Sequence, residues 1–493
     1  MVLSAQADSD VIEIWTKAQL ETLRSAVNEG TDYSGKTVKL MTDLDLGAWT
    51  PIGTTDDKAH SFNGTFDGQG YTINISVSSS ATVLGLFGYF RGTVQHLKVT
   101  GSITNTNSAT TSSTAGIAAY NRGTISQCAN LATIIGTTAG GIAGENHGTI
   151  TNCYNKGYIG GTSGASNYYL GGVVGQFKST EISNVYASCT IDDKGTPGGI
   201  VSNSQSGTLS NVYYNVIADN NGSTSSLDGS TTLTGDALKS YFDNSLWTFA
   251  DGELPELTCF LNKTVRVIND NDNGFILMEN DGKTCTVELS NRILYKDGDW
   301  NTICLPFALS AAQIAGSPLA GATIMAFSSA SFNTGEKFLT LNFSETTEIV
   351  AGTPYLIKWE RGESISSPTF ANVTINKTPS TVSMDNGNVT FVGIFSTQAI
   401  ADDGSYLFLG SENRLYYPNI STYSVKSCRA YFHLSGSIKP DASRCVLVFD
   451  DTPTGIVGLN KGGKPAVTYD LQGRRASAKR GIRIAGGKKY IVK

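Results

Sequence analysis

The sequence predicts an all-β protein, a parallel β-helix followed by an antiparallel β-sandwich. Three observations carry this. A glycine-anchored cassette recurs five times between Gly85 and Ile217. Its period of roughly 25–32 residues marks a stacked repeat architecture. Each copy consists of short apolar runs and corners with no helical period, so strands build each turn. From 259 to 450 the repeat gives way to short alternating strands with turn dipeptides between them, the pattern of a sandwich.

The 493 residues are enough for two or three domains. Hydrophobic residues make up 40%, so ordinary cores are available, but charged residues are only 16%, against about 25% in an average soluble chain. Ser, Thr, Asn and 54 Gly take their place, which suits extended structure with many tight turns. The net charge is −6; residues 451–493 hold ten Lys or Arg against two Asp, so the tail is +8 and the rest −14. A net-negative body argues against a nucleic-acid partner. No apolar run approaches the ~20 residues of a membrane span.

Residues 1–7 end in Ala5-Gln6-Ala7, an A-x-A site before a polar start at Asp8, and are expected to be the remnant of an export signal. In 12–30, Thr16 and Gln19 form a capping box, Leu20, Leu23 and Val27 an apolar face, and Gly30 a stop. This predicts an amphipathic helix capping the open end of the solenoid. Val38 and Leu40, then Leu44 and Leu46, alternate as strands of the opening turns.

The five copies align by column. Leu86, Ile117, Ile142, Val173 and Ile200 form one; Val94, Ile125, Ile150, Ile182 and Leu209 a second. Leu97, Cys128, Cys153, Val185 and Val212 form a third, and Ile103, Ile134, Ile159 and Ile191 a fourth. Stacked turns would make each column an inward ladder at about 4.8 Å spacing, with each side chain worth roughly 1.5–3 kcal/mol. Glycines 85, 116, 141, 172 and 199 keep one corner bare. His96, Gln127, Asn152, Asn184 and Asn211 precede the third column, and their amides are expected to bond up the stack. Ile150→Asp should unfold the solenoid, whereas Asn146→Asp, at a corner, should be nearly silent. Cys128 and Cys153 read as stacked core residues rather than a disulfide, and the eight cysteines show no metal spacing.

The pattern G-[IV]-x-G-x(3)-G-T-I-x-N-C resembles the GLUG repeat of bacterial surface and secreted proteins. The upstream KTVKLMTDLDL, WTPIG and FNGTFDGQGYTI resemble the leader that often precedes it. The resemblance covers about residues 12–220 and implies a right-handed β-helix and an adhesin-like role. The fourth copy lacks the corner glycine at Ser179 and the fifth has Ser202 for the second glycine.

Residues 8–258 are assigned to the solenoid with its caps; Phe242, Leu246, Trp247, Phe249 and Leu257 are expected to anchor a closing cap. Residues 259–450 form the sandwich, with Asn273-Gly274 and Asn386-Gly387 as hairpin turns and Leu339, Leu341 and Phe343 facing one way. WNTICLPF, GTPYLIKW and CRAYFHL resemble a module common in exported Bacteroidetes proteins. Residues 451–493, with YDLQGRR and GKKYIVK, resemble a C-terminal sorting domain of that group; the alternative is a basic hairpin.

Chemistry is sparse. His60, His96, His147 and His433 form no HExxH motif, and no G-x-S-x-G or P-loop occurs. NDNDNG at 269–274 fails the EF-hand spacing because residue 280 is Asn. No catalytic residue, cofactor or metal is assigned. Tyr154, Tyr186 and Tyr213 follow the third column, and Tyr168 and Tyr169 lie in an inserted loop. An exposed tyrosine row would stack on sugar rings or pack at an interface; the alternative is a ladder supporting the solenoid or packing on the next domain. The expected function is a secreted or surface adhesion protein with a glycan or extracellular protein ligand. A carbohydrate-active enzyme, needing two converging carboxylates, and a structural stalk are the alternatives.

Overall fold

The computed structural model describes residues 10–178, 180–195, 197–218, 238–418, 423–436, 438–440, 444–449, 481–485 and 488–492. Residues 1–7 and most of the 451–493 tail lie outside them, as does Ser179. The two described pieces of the tail, Gly481–Ala485 and Lys488–Val492, form an antiparallel hairpin.

The first half is a parallel β-solenoid of about eight turns. One face stacks Val11–Ile14, Thr37–Leu40, Thr65–Asp67, Thr93–Gln95, Thr124–Ser126, Thr149–Thr151, Glu181–Ile191 and Thr208–Ala218, all in parallel. The register places Ile12, Val38, Phe66, Val94, Ile125, Ile150, Ile182 and Leu209 in one ladder. It extends the expected second column three turns toward the N-terminus. The four apolar columns point inward, and apart from the half-buried Leu209 their residues are buried in one continuous core. All eight cysteines are free thiols, and Cys128 and Cys153 sit at the same height of adjacent turns, 0% exposed.

The bare glycine column has a steric cause. A Cβ at Gly116 would lie 2.2 Å from Asn130 Oδ1, and one at Gly141 would lie 2.4 Å from Asn155 Cγ. The glycines make room for a buried asparagine stack in which Asn130 Nδ2 donates to Asn155 Oδ1 at 2.8 Å. A second stack pairs Asn121 Nδ2 with Asn146 Oδ1 at 2.6 Å, between Phe90 and Phe177 in the neighbouring turns.

Two expectations are corrected here. The amide column at His96, Gln127, Asn152, Asn184 and Asn211 recurs mainly for a backbone reason. Each of these residues has φ between 50° and 53°, the left-handed region that Asn tolerates better than most non-glycine residues. One bond runs along this column, Asn211 Nδ2 to Asn184 Oδ1 at 3.0 Å. Asn146 is not an exposed corner. It is 0% exposed, accepts from Asn121 and donates to the Gly148 carbonyl at 2.7 Å, so a buried charge at this site is expected to be destabilising.

Helix Lys17–Asn28 carries the Thr16–Gln19 capping box and buries Leu20, Leu23 and Val27. It ends through Gly30, at φ 99°, whose N–H donates to Val27.

Residues 238–260 do not close the end of the solenoid; they run back along its side. Phe242 meets Tyr213 and Tyr186, Trp247 meets Tyr186 and Tyr154, Phe260 meets Tyr154 and lies under Lys98, and the Cys259 carbonyl backs onto Gly70. The segment is a strap crossing successive turns toward the opening ones.

The strap delivers the chain to the second region, whose start is fixed to the opening turns. Asp43, 3% exposed, accepts from Lys263 Nζ at 2.7 Å, Asn280 Nδ2 at 2.8 Å and the Thr72 N–H at 2.6 Å. Tyr71 donates to the Thr264 carbonyl at 2.7 Å. The second region is built mainly of antiparallel sheets. One five-stranded sheet contains Thr323–Asn333, Phe338–Glu345 and Pro354–Lys358; another contains Val389–Ile394 and Arg429–Leu434. Leu339, Leu341 and Phe343 point inward as expected, and Thr381–Met384 and Val389–Ile394 form the hairpin around Asn386-Gly387.

The hairpin expected at Asn273-Gly274 does not form. Gly274–Glu279 is a helix, and strands Thr264–Ile268 and Thr284–Ser290 pair in parallel across it. Asn273 is 0% exposed, donates to the Ile268 and Phe395 carbonyls and accepts the Ile268 N–H, so it fixes a crossover rather than a turn.

Candidate functional site

The five tyrosines singled out from sequence do not form one exposed patch. Tyr154 and Tyr186 are 0% and 1% exposed. Their rings stack 5.0 Å apart at 4° beneath Trp247, and their hydroxyls donate to Glu256 and to the Pro255 carbonyl. Burial raises both phenols well above their ordinary pKa. Glu256 also faces Lys98 at 3.4 Å and Lys156 at 3.8 Å. Tyr213 is half-buried against Tyr241 and Phe242. Tyr154 and Tyr186 therefore form no exposed stripe; the alternative, a row that serves packing, describes them, and the strap uses this row as its bed. Tyr168 packs on Gly161 and donates to the Thr162 carbonyl at 2.9 Å, while Tyr169 begins a strand on another face, beside Thr138.

A different row lies in reach of solvent. Tyr89, Tyr120, Glu145 and Gln176 are in register across four turns. The strand period places them outward, opposite the inward Phe90, Asn121, Asn146 and Phe177. Tyr89 and Tyr120 lie 5.2 Å apart, and His147 stacks on Tyr120 at 4.8 Å. The residue after each inward one supplies a basic side chain at the corner: Arg91, Arg122, His147 and Lys178. Arg122 lies 5.1 Å over the Tyr120 ring and donates to its hydroxyl at 3.0 Å.

Asp56, in the loop before Ser61, ties two turns together. It accepts from Arg91 Nη2 at 2.8 Å and bidentately from Arg122 Nε and Nη2 at 2.9 and 2.8 Å. Partial burial works against its charged form, but the hydrogen bond and charge of Arg122, with Arg91, outweigh that and hold the carboxyl below its usual range. Burial, with Asp56 and Glu145 nearby, raises the Tyr89 phenol, so this hydroxyl is a neutral donor. Glu145 meets His147 Nε2 at 2.7 Å.

Beside the rings runs an open groove of about 460 Å³, which Arg91, Arg122 and His147 also line. Its floor repeats a Gly-Thr pair. Thr65, Thr93, Thr124 and Thr149 are in register, and a Cβ at Gly92, Gly123 or Gly148 would sit 2.0–2.1 Å from the glycine carbonyl of the preceding turn. The glycines keep the floor flat and the threonines offer hydroxyls turn by turn. Rings, hydroxyls and cations thus recur along one line, suited to an extended polar ligand. Among the described residues no group of three His, Cys, Asp or Glu is placed to hold a metal ion, and no helix is long and apolar enough to cross a membrane.

Sequence reasoning missed this row because Tyr occupies only two of its copies. The signal was present in the residue two places after it, where Arg91, Arg122, His147 and Lys178 fill one column with basic side chains. No protein-family model matches the sequence, and no curated protein matches it. Among solved structures, the chain is similar to the crystal structure of a candidate immunoglobulin A1 protease from Bacteroides ovatus, at 18% identity and a TM-score of 0.38, over 50% of this chain and 92% of that one.

Proposed function

We propose that this is an exported binding protein of GLUG type, whose solenoid presents the Tyr89–Tyr120–His147 ribbon and its Gly-Thr groove to a glycan. An extracellular protein is the alternative ligand. The observation that carries the reading is the ribbon itself: two phenol rings and an imidazole in ring contact across three turns, flanked by guanidinium donors and a row of hydroxyls. Aromatic faces provide rigid apolar contact while the polar edge fixes orientation. Export is supported by the A-x-A site at 5–7 and the sorting-like tail.

The enzyme reading draws on Asp56 and Glu145, which flank the same rings. A catalytic carboxylate must reach the reacting atoms, whereas both Asp56 oxygens are held by Arg91 and Arg122 and Glu145 is held by His147. Binding is therefore the better account. The test is a glycan and matrix-protein array probed with the wild-type chain and with Tyr89→Ala/Tyr120→Ala. Losing two aromatic contacts should weaken the selected ligand by roughly 10–100-fold, at about 1 kcal/mol or more per ring. Absence of any ligand, or equal binding by the double variant, rejects the proposal. Shortening of a bound glycan on incubation would favour the enzyme.

A further inference from the structure

The second region contains a buried guanidinium without an anion. Arg292 follows the left-handed residue Asn291, at φ 62°, just after strand Thr284–Ser290. It is 2% exposed. Its Nη2 donates to the Thr302 carbonyl at 2.9 Å, while Nε and Nη1 have no acceptor among the described residues. A buried, unpaired charge is costly, and the cost falls when a counter-charge supplies the missing hydrogen bonds.

Arg292 lines a pocket of about 500 Å³, together with Arg429, Trp300, Tyr423 and Phe408. Arg429 is also under-paired: among the described residues its guanidinium makes one hydrogen bond, a long 3.4 Å bond to Asn269 Oδ1, and burial lowers its pKa against the opposing pull of Asp270. The pocket's carboxylates are committed elsewhere. Asp299 accepts from Asn413 Nδ2 at 2.9 Å and the Glu412 N–H at 3.0 Å, and Asp297 accepts the Asp299 N–H at 2.9 Å. Lys426, on the rim, is paired with Asp270 at 2.8 Å. Arg292 and Arg429 are thus the cationic groups of this lining that keep spare donors among the described residues.

We propose that this pocket binds a small oxyanion-bearing ligand, its carboxylate, sulfate or phosphate group seated on Arg292 with Arg429 in the same site and the Trp300 ring beside it. A planar guanidinium presents a fork of donors matched to such a group. Nε and Nη1 are shut off from bulk solvent, so seating the anion requires a small shift of the pocket floor, and binding must be saturable rather than a diffuse salt effect.

The experiment is thermal unfolding of the full chain at constant ionic strength, titrated with sulfate, phosphate or glucuronate against a chloride reference. Wild type should show a saturable rise in Tm with at least one of the three, and the choice among them separates an inorganic anion from an acidic sugar. Arg292→Met keeps an unbranched stem and removes the guanidinium; it should lose the response and unfold at a higher temperature without ligand. Arg429→Gln, which is less buried, should retain the fold with a weakened response if Arg292→Met does not fold. Equal responses in wild type and both variants, or no response beyond chloride, overturns the proposal.

Discussion

Two asparagine columns three residues apart should respond differently to substitution. Asn152 occupies the left-handed position at φ 52°, and its buried Oδ1 has no partner among the described residues. Asn155 is 0% exposed, accepts from Asn130 Nδ2 at 2.8 Å and from the Gly157 N–H at 2.9 Å, and donates to the Gly157 carbonyl at 3.1 Å. Asn152→Gly removes a strained side chain where glycine is at ease and should change stability by less than about 1 kcal/mol. Asn155→Ala strands two donors and one acceptor in the core. At about 1–3 kcal/mol per stranded group, and allowing for the bond that the Asn130 amide keeps to the Ala132 carbonyl at 3.1 Å, the loss should be roughly 3–5 kcal/mol.

The chain has more than one cooperative unit, so a single melting temperature would blur the effect. Native-state hydrogen exchange resolves the solenoid turn by turn. Amides in 124–160 should exchange far faster in Asn155→Ala and almost unchanged in Asn152→Gly. A difference below about 1 kcal/mol between the variants, or greater damage from Asn152→Gly, would refute the division of labour, since the stranding of buried polar groups is its whole basis.

Other perturbations test other parts of the structure. Trp247→Ala removes the ring packed on Tyr154, Tyr186 and Phe242; a cost of about 3–5 kcal/mol should release the strap, seen as rapid proteolytic cleavage within 238–258 and recovery of normal phenol titration by Tyr154. Lys263→Met leaves the Asp43 carboxylate buried without its ammonium partner and should loosen the junction between solenoid and second region by about 3–5 kcal/mol, whereas Lys263→Met/Asp43→Asn should recover much of it; differential scanning calorimetry on both variants decides. Because its folded pKa is lowered, Asp56 stabilises the loop above its unfolded pKa near 3.8 and loses that effect as pH falls through the folded value. Acidification from pH 5 to pH 2 should therefore free the 53–61 loop, measured by hydrogen exchange, and Arg122→Gln should make the release occur at a higher pH.

The aliphatic ladders were legible because burial recurs at every turn, so one chemical class fills one column: Ile125, Ile150 and Ile182 repeat the same environment. The buried asparagines were less visible. Asn130 and Asn155 give way in the next turns to Ala187 and Tyr214, so their column never shows one residue type throughout. The left-handed column was visible but misassigned, since an amide that tolerates positive φ and one that bonds along a stack are the same letter. A hairpin at Asn273-Gly274 requires a strand directly after it, and the run Phe275–Met278 allowed one because four apolar residues fit a buried strand as well as a helix face; only the parallel pairing of the flanking strands decides for the helix. The strap could not be found by repeat logic, because it occurs once and its anchors acquire meaning only when Tyr154, Tyr186 and Tyr213 are seen beneath them.

The same residue type serves two ends on this solenoid. A row of outward rings is adhesive wherever it stands, and an uncovered one invites partners. The chain covers the row at Tyr154, Tyr186 and Tyr213 with its own strap and ties it down through Glu256. The row at Tyr89 and Tyr120 receives no such cover from the described residues; it is edged instead by Arg91, Arg122 and the hydroxyl floor of the groove. Had this second row a purely structural task, a buried bed like the first would stabilise it better than a half-exposed line of rings and charges. A ligand seated on this row would cover the rings that the chain itself leaves uncovered, so the Tyr89–Tyr120 ribbon, rather than the tyrosines the sequence first brings forward, is the surface on which binding should be sought.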